Sequence, residues 1–566
     1  MSVSLRAFGS YWFVRRLAVS YFIVASILEV DSAGVAKVHA EERATTPALP
    51  RTILFLDDDD VLYRPGTIKR VVEFQKQSAD PVIAPDKPWE GMIGWTSVYR
   101  NPATGKYQLW YQAYQERRKE DKRLKCVVCY ATSDDGVAWT KPNLGLFPFY
   151  ETKGTNIVLI GAGDDEQGGY GDRYCNSVLV DARETDPARR YKMAYYDWGV
   201  GKDAKLGSGT HVAFSPDGIH WTKHPGMVSK TPFGGKGMQP PFVDEGFYFE
   251  ETLKTGVVRK SWRVPTAMSD ALDVLYDPRL ERYVGYGKMW TPGPDGGLSW
   301  KHGMGRIEST DFLHWTKPEL VLTVNDRDPP HVEFHTSPVF FYNGMYCSLN
   351  QILDRGRGTM DAEFMTSRDG RRWDRTFANT WVIPRGKPER FDAGSIITNG
   401  TPVVLDDEVR FYYGGYRGTA IGGVGLNSQV LGTSDYYSGV GLATTPRDRF
   451  VAVGPNPHAP VKGQKKDKPQ LTNTIGHVTL KALDLAGVKA LTVNADAARG
   501  AVRVELLNED GYRLRGFTKD DAVPLTADDL AQPVAWKEKS LADLPAGRYL
   551  VRVHLDKADL YGVTLR

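Results

Sequence analysis

Apolar and polar residues alternate along this chain in short bursts, and the bursts come in pairs separated by turn residues. The pairs Trp95–Ala113, Asn176–Asp197, Asp273–Lys288, Ser337–Asn350 and Ser395–Tyr416 each read as a strand, a turn rich in Asp, Asn, Gly or Pro, and a second strand rich in Tyr and Val. After the first four pairs comes one recurring signature: Ser133-Asp-Asp-Gly-Val-Ala-Trp139, Ser215-Pro-Asp-Gly-Ile-His-Trp221, Ser309-Thr-Asp-Phe-Leu-His-Trp315 and Ser367-Arg-Asp-Gly-Arg-Arg-Trp373. Ser and Asp bond to nearby backbone in a hairpin, Gly supplies a positive φ, and Trp folds back onto the sheet. Four copies at spacings of 82, 94 and 58 residues predict a structural repeat. The fifth pair is followed by Gly439–Phe450 instead. Long helical periods are absent, so the pattern predicts an all-β chain. Five units of about four strands close into a five-bladed β-propeller over residues 51–453, with 51–90 as a lead-in that adds a closing strand. A Pro-, Gly- and Lys-rich linker over 454–470 precedes shorter alternating strands, read as a C-terminal β-sandwich over 471–566.

Composition alters this picture little. The 566 residues exceed one ordinary core, and 57 Gly, 34 Pro, 28 Tyr and 14 Trp suit many short strands joined by turns. Lys plus Arg number 72 against 69 for Asp plus Glu, spread evenly, which gives no reason to expect nucleic acid or an anionic membrane as partner. Arg6, Arg15 and Arg16 precede the apolar run Leu17–Val30, and Val38-His39-Ala40 offers a cleavage site; residues 1–40 read as a signal peptide. The mature protein is then secreted or periplasmic, with no membrane segment after processing. Cys126 and Cys129 have the spacing of half a zinc ribbon, but on a strand they point to opposite faces and read as buried thiols. Asp57-Asp58-Asp59-Asp60 reads as a solvated acidic turn, with a structural calcium as the alternative; no other cofactor is expected.

Several segments resemble one superfamily. The Ser-x-Asp-Gly-x-x-Trp turns, Trp89-Glu90, Ser269-Asp270-Ala-Leu-Asp273-Val-Leu-Tyr-Asp277, Phe391-Asp392-Ala-Gly394 and Tyr412-Tyr-Gly-Gly415 are similar to the five-bladed propeller glycoside hydrolases of families 32, 43, 68 and 130. The nearest likeness is to secreted family-32-like bacterial proteins that carry a C-terminal sandwich, here with Val493–Ala497 and Val504–Asn508. The resemblance covers residues 50–566 and implies a carbohydrate substrate. The Trp-Met-Asn-Asp-Pro-Asn-Gly nucleophile motif of family 32 is missing, and Asp326-Arg-Asp-Pro329 lies late, between repeats; invertase or inulinase activity is not implied.

Candidate chemistry follows from aligning the five inner strands on Val98, Val178, Val274, Val339 and Ile396. Four residues upstream stand Gly94, Tyr174, Asp270, His335 and Asp392, with Glu90, Asp172, Asp273, Glu333 and Glu389 close by. Cleaving a glycosidic bond takes one protonated and one ionised carboxyl group. Asp270 and Asp392 are the leading pocket carboxylates, Glu333 the leading general acid, and Asp172 and Glu90 supporting members. Asp172 and Asp273 equally read as turn or cap residues, and His335 as a pocket wall. Arg173, Lys288 and Arg390 would tune the carboxylates or bind an anionic sugar or phosphate. Trp95, Tyr174 and Trp290 would stack on sugar rings. The expectation is a glycoside hydrolase of a plant or algal poly- or oligosaccharide; a phosphorylase and a non-catalytic carbohydrate-binding protein are the alternatives.

Overall fold

The computed structural model describes residues 50–114, 126–161, 175–197, 209–230, 247–252, 258–263, 268–291, 293–294, 300–418, 438–458 and 473–566. Residues 1–40, expected to be a signal peptide, therefore lie outside the described residues, which are all-β with short 3-10 turns such as Pro187–Arg189. No helix among them is long and apolar enough to cross a membrane.

Three antiparallel sheets follow one another in strict chain order. The first runs Met92–Arg100, Tyr107–Tyr114, Cys126–Ser133, Ile157–Ile160. The second runs Ser177–Val180, Tyr191–Asp197, Gly209–Ser215, Thr222–Lys223, with Ser229–Lys230 also on Gly209–Ser215. The third runs Met268–Asp277, Arg282–Thr291, Lys301–Ser309, Glu319–Leu322. Between the second and third stands a hairpin, Phe247–Thr252 with Val258–Arg263, that the strand pattern did not announce. A nine-stranded sheet comes next and contains two such meanders, Val339–Tyr342 to Thr359–Ser367 and Ser395–Ile397 to Ser438–Pro446. They are joined by a single parallel pair, Met360 with Ser395. Gln75–Lys76 adds the outer strand on Ser438–Pro446.

The repeated turns have the chemistry their residues dictate. In each, the Ser Oγ accepts the backbone N–H three residues on (Gly136 2.8 Å, Gly218 2.9 Å, Phe312 2.9 Å, Gly370 2.9 Å). The Asp Oδ1 accepts the next two N–H groups, as Asp217 does from Ile219 and His220. Across the ladder every turn Ser faces a Tyr: Tyr107, Tyr191, Tyr283 and Tyr346. Three residues past Tyr107 and Tyr283, an aromatic of one sheet caps the turn of the next, and Tyr412 of the last meander makes a like contact. Trp110 donates to the Gly218 carbonyl at 2.6 Å, Tyr286 to Gly370 at 2.9 Å, and Tyr412 to Gly136 at 2.7 Å, the last linking the final meander back to the first. A Cβ on Gly218 would meet Trp110 Cζ2 at 2.5 Å, so space as well as a φ of +80° selects glycine there. The exception explains itself. In the second sheet the equivalent position is Ala194, and the space its small side chain leaves is filled by Phe312, which takes the positive φ (68°) in place of glycine and packs in the same core.

Cys126 and Cys129 are buried, and they pack into two different apolar clusters, as opposite strand faces require. The C-terminal strands form two sheets with a shared core that includes Val478, Val493, Val504, Val553 and Val563. Here the expected boundary is corrected. Arg51–Leu54, Val61–Tyr63 and Thr67–Val71 pair with Asp559–Leu565, Ile475–Leu480 and Val451–Pro455, so the lead-in belongs mainly to the C-terminal sheets. Ile53, Phe55 and Val61 supply apolar side chains to that core, the physical reason for the placement. The acidic turn beside them is engaged by cations: Asp57 with Arg368 (2.6 Å), Asp58 with Arg64 (3.0 Å) and Asp60 with Arg51 (2.9 Å).

Candidate functional site

The inner strands are stapled to one another by side chains just before their aligned apolar residues. Ser97 Oγ accepts the Val178 N–H at 2.9 Å, Ser177 Oγ accepts Val274 N–H at 3.0 Å, and Thr401 Oγ1 accepts Val98 N–H at 2.9 Å. Asp273 belongs to this set. One of its oxygens accepts from Ser177 and Val274, the other from Gly400 N–H at 2.6 Å. Burial raises its pKa, and those hydrogen bonds oppose the rise. Asp273 was expected to touch substrate; its oxygens are instead engaged by neighbouring strands, and it serves as a staple.

Asp270 sits where the first ladder of the third sheet slips. Met268 faces Met289 and Leu272 faces Gly287, so the residues between them oppose Lys288 alone. A bulge re-aims side chains in this way, and Asp270 Oδ1 lies 2.5 Å from Lys288 Nζ, both side chains buried. Trp290 and His302 face each other across the next ladder, with ring centroids 3.8 Å apart. His302 Nδ1 is 2.7 Å from Glu333 Oε1, and its backbone N–H reaches Glu333 Oε2 at 3.3 Å. Arg355 closes on the same carboxylate at 2.6 Å. Lys288 and Asp270 both act electrostatically on His302, so Asp270, Lys288, His302 and Glu333 form one buried cluster, with the partly exposed Arg355 at its edge.

Electrostatics assigns protonation within it. Burial alone would push the Glu333 carboxyl up, but the hydrogen bonds and charges of His302 and Arg355 prevail and hold it at about 2. Burial, then the Lys288 charge, pull His302 down to about 4. At neutral pH Glu333 is an ionised acceptor, so His302 is the neutral imidazole with its proton on Nδ1. Its Nε2 then carries a lone pair and is buried with no hydrogen-bond partner among the described residues. Glu333 was expected to be the general acid. Its carboxylate instead accepts from His302 and Arg355 and is held well below neutrality.

A pH dependence follows. Both folded-state pKa values lie below their unfolded ones, so both contributions to stability are complete above the unfolded values and disappear on acidification. The His302 part is lost as pH falls from about 6.5 to about 4, and the Glu333 part from about 4.5 to about 2. Urea unfolding from pH 7.5 to 3 should show stability already falling below pH 6.5; a flat profile down to pH 4 would contradict the assignment.

The other expected residues are distributed as follows. Trp95 adopts a positive φ of 52°, and its ring lies 5.5 Å from that of His335 at a tilt of 38°; His335 Nδ1 is 3.3 Å from Gln351 Oε1. Asp392 belongs to a different group, 2.5 Å from Lys76 and 2.8 Å from the Tyr413 hydroxyl. Glu90, just before the Met92–Arg100 strand, is buried against Lys141 (2.5 Å) and the Tyr111 hydroxyl (2.5 Å), so its carboxylate is engaged in an ion pair. Arg390 lies near the surface, 3.3 Å from Asp80. Asp172, Arg173 and Tyr174 lie outside the described residues. His302 and Arg355 were missed because only first strands were aligned; the third strand carries His302, and Arg355 follows a second strand.

No family model matches the chain, and no curated protein matches it. Several solved structures are similar. One described as a glycoside hydrolase shares 13% identity over 70% of this chain and 96% of its own, with a TM-score of 0.43. A glycosyl hydrolase from Bacteroides ovatus shares 16% over 67% and 97%, with a TM-score of 0.40. A structure from work on the GH130 family of mannoside phosphorylases, which contains hydrolases of β-1,2 mannosidic linkages in Candida mannan, shares 16% over 66% and 94%, at 0.38. These similar structures are glycoside hydrolases and their relatives. TM-scores below 0.5 leave fold and activity to the chain's own residues.

Proposed function

We propose that this chain is an exported glycoside hydrolase, built as a five-bladed β-propeller with a C-terminal β-sandwich. In this reading the nine-stranded sheet is two blades joined by the lone Met360–Ser395 pair, and the Tyr412–Gly136 contact closes the ring. The propeller takes residues from about Phe74 to Phe450, while Arg51–Val71 and Val451–Pro455 complete the sandwich with 471–566.

The observation that carries the reading is the buried cluster of Asp270, Lys288, His302 and Glu333 beside Trp290, at the start of an inner strand. Asp270 acts as base or nucleophile at the sugar, Lys288 fixes its carboxylate, Glu333 holds His302 with an Nε2 lone pair that can accept a proton, and a second carboxyl group protonates the leaving glycosidic oxygen. Asp392, the counterpart of Asp270 in the repeat, is the proposed second carboxyl group, with Asp172 in support. Trp95, Trp290 and Tyr174 supply stacking surfaces, and His335 lines the wall beside Trp95. Hydrolysis is favoured over phosphorolysis because the cations here already face carboxylates: Lys288 with Asp270, Arg355 with Glu333, Lys76 with Asp392.

The test is release of reducing ends from a panel of plant and algal glycans, with and without inorganic phosphate. Phosphate-independent release supports hydrolysis. Strict phosphate dependence would establish a phosphorylase, and binding without any product a silent lectin-like protein; either overturns the proposal.

A further inference from the structure

The outer face of one C-terminal sheet carries a second concave site, away from the inner strands. Its cavity, of about 530 Å³, is lined by His477, Arg503, Lys519, His554 and Asp556, with Ile475 at its edge. The strand register builds it. His477 faces His554 and His554 faces Arg503, so three basic side chains form one row across three strands.

Beside that row lies Glu505, fully buried although it is on the outward face. It engages its neighbours Arg513 at 2.7 Å, His554 Nε2 at 2.8 Å and Arg552 at 3.5 Å. Arg503 and Lys519 are left facing the cavity with no carboxylate within ion-pair distance among the described residues, and Asp556 is the one acid in the lining. The surplus positive charge is felt by His477. Burial, then Arg552 and His554, with a further part from Lys519, pull it down to about 4, and its Nε2 is buried without a hydrogen-bond partner among the described residues. Apolar surface stands at the rim. Ile475 is 46% exposed, and the 40% exposed Tyr63 meets the His477 ring edge-on at 5.8 Å.

We infer that this cavity binds an acidic sugar, with Arg503 and Lys519 holding its carboxylate or sulfate and Ile475 contacting the ring. Arg and Lys recognise such oxyanions by charge-assisted hydrogen bonds. The volume accommodates one or two sugar rings, within the range of small-molecule sites. The site is independent of the proposed chemistry at Asp270 and would hold the protein on an anionic glycan.

Calorimetry on the full mature chain tests it with four probes: a galacturonate trimer, a sulfated galactose trimer, a neutral galactose trimer and inorganic sulfate. One of the acidic trimers is expected to bind at least about tenfold more tightly than the neutral trimer or free sulfate, and Arg503→Ala and Lys519→Ala each to weaken it about tenfold. Both side chains are at the surface, so an unchanged melting temperature is the folding control, and turnover assigned to the Asp270 cluster should be unaffected. Equal binding of neutral and acidic trimers, sulfate binding as tightly as either, no binding at all, or affinity indifferent to both substitutions would overturn the inference.

Discussion

Asp270→Asn should reduce turnover of the responsive glycan by about a thousandfold or more, since a carboxylate in this role supplies about 10²–10⁴ in rate before any covalent contribution is added. The exchange keeps the shape of the side chain and removes its charge. It also leaves Lys288 buried without its partner at 2.5 Å, and breaking a buried pair costs about 3–5 kcal/mol. A loss of activity through unfolding is separated from a chemical one by a second variant, Asp270→Asn with Lys288→Met. Replacing both charges by neutral groups of similar size is about neutral for stability, so the double variant should melt close to the parent and be equally inactive. Initial rates and melting temperatures on the same preparations decide it. More than about a tenth of parental kcat/KM in the double variant would remove Asp270 from the chemistry.

The largest purely structural effect is expected at Arg375. Its guanidinium lies between Asp328, which it grips with both terminal nitrogens at 2.7 and 2.8 Å, and Glu363, reached by Nε at 2.5 Å. It also lies over the Phe334 ring at 4.8 Å. All three charged side chains are buried, and Glu363 further accepts from Asn350 at 2.9 Å. Arg375→Met fills the space but leaves two carboxylates facing each other without a counter-ion. Removing one partner from a buried network costs about 3–5 kcal/mol, a large fraction of the stability of most domains. The midpoint of urea unfolding should fall accordingly with its slope unchanged. A loss under about 1 kcal/mol would mean the pair is solvated.

What the chain's letters disclosed was local. The Ser-x-Asp-Gly turns could be read because their hydrogen bonds run between residues two and three apart, and Ser133, Ser215, Ser309 and Ser367 make them alike. Aligning inner strands on Val98, Val178 and Val274 was sound, since the residues just before them staple one strand to the next. That alignment could not say which acids face a cavity and which face a backbone amide. Asp270 and Asp273 are three residues apart, yet one meets Lys288 and the other Gly400 N–H, a difference set by a slip in the ladder that leaves no mark in composition. Glu90 looked like a rim carboxylate until Lys141, 51 residues away, took it. His302 was invisible because its partner Glu333 lies 31 residues on, in another sheet. The same limit hid the lead-in's true place. Thr52 faces Thr564 across 512 residues, and no periodicity in either strand announces such a pairing.

The most direct measurement is the structure of Asp270→Asn with an oligosaccharide of the responsive glycan bound. The glycosidic oxygen or anomeric carbon should lie within about 3.5 Å of the substituted side chain, with a sugar ring against Trp290. A saccharide found only elsewhere, with position 270 more than about 10 Å from any glycosidic bond, would contradict the assignment of the reaction to this cluster.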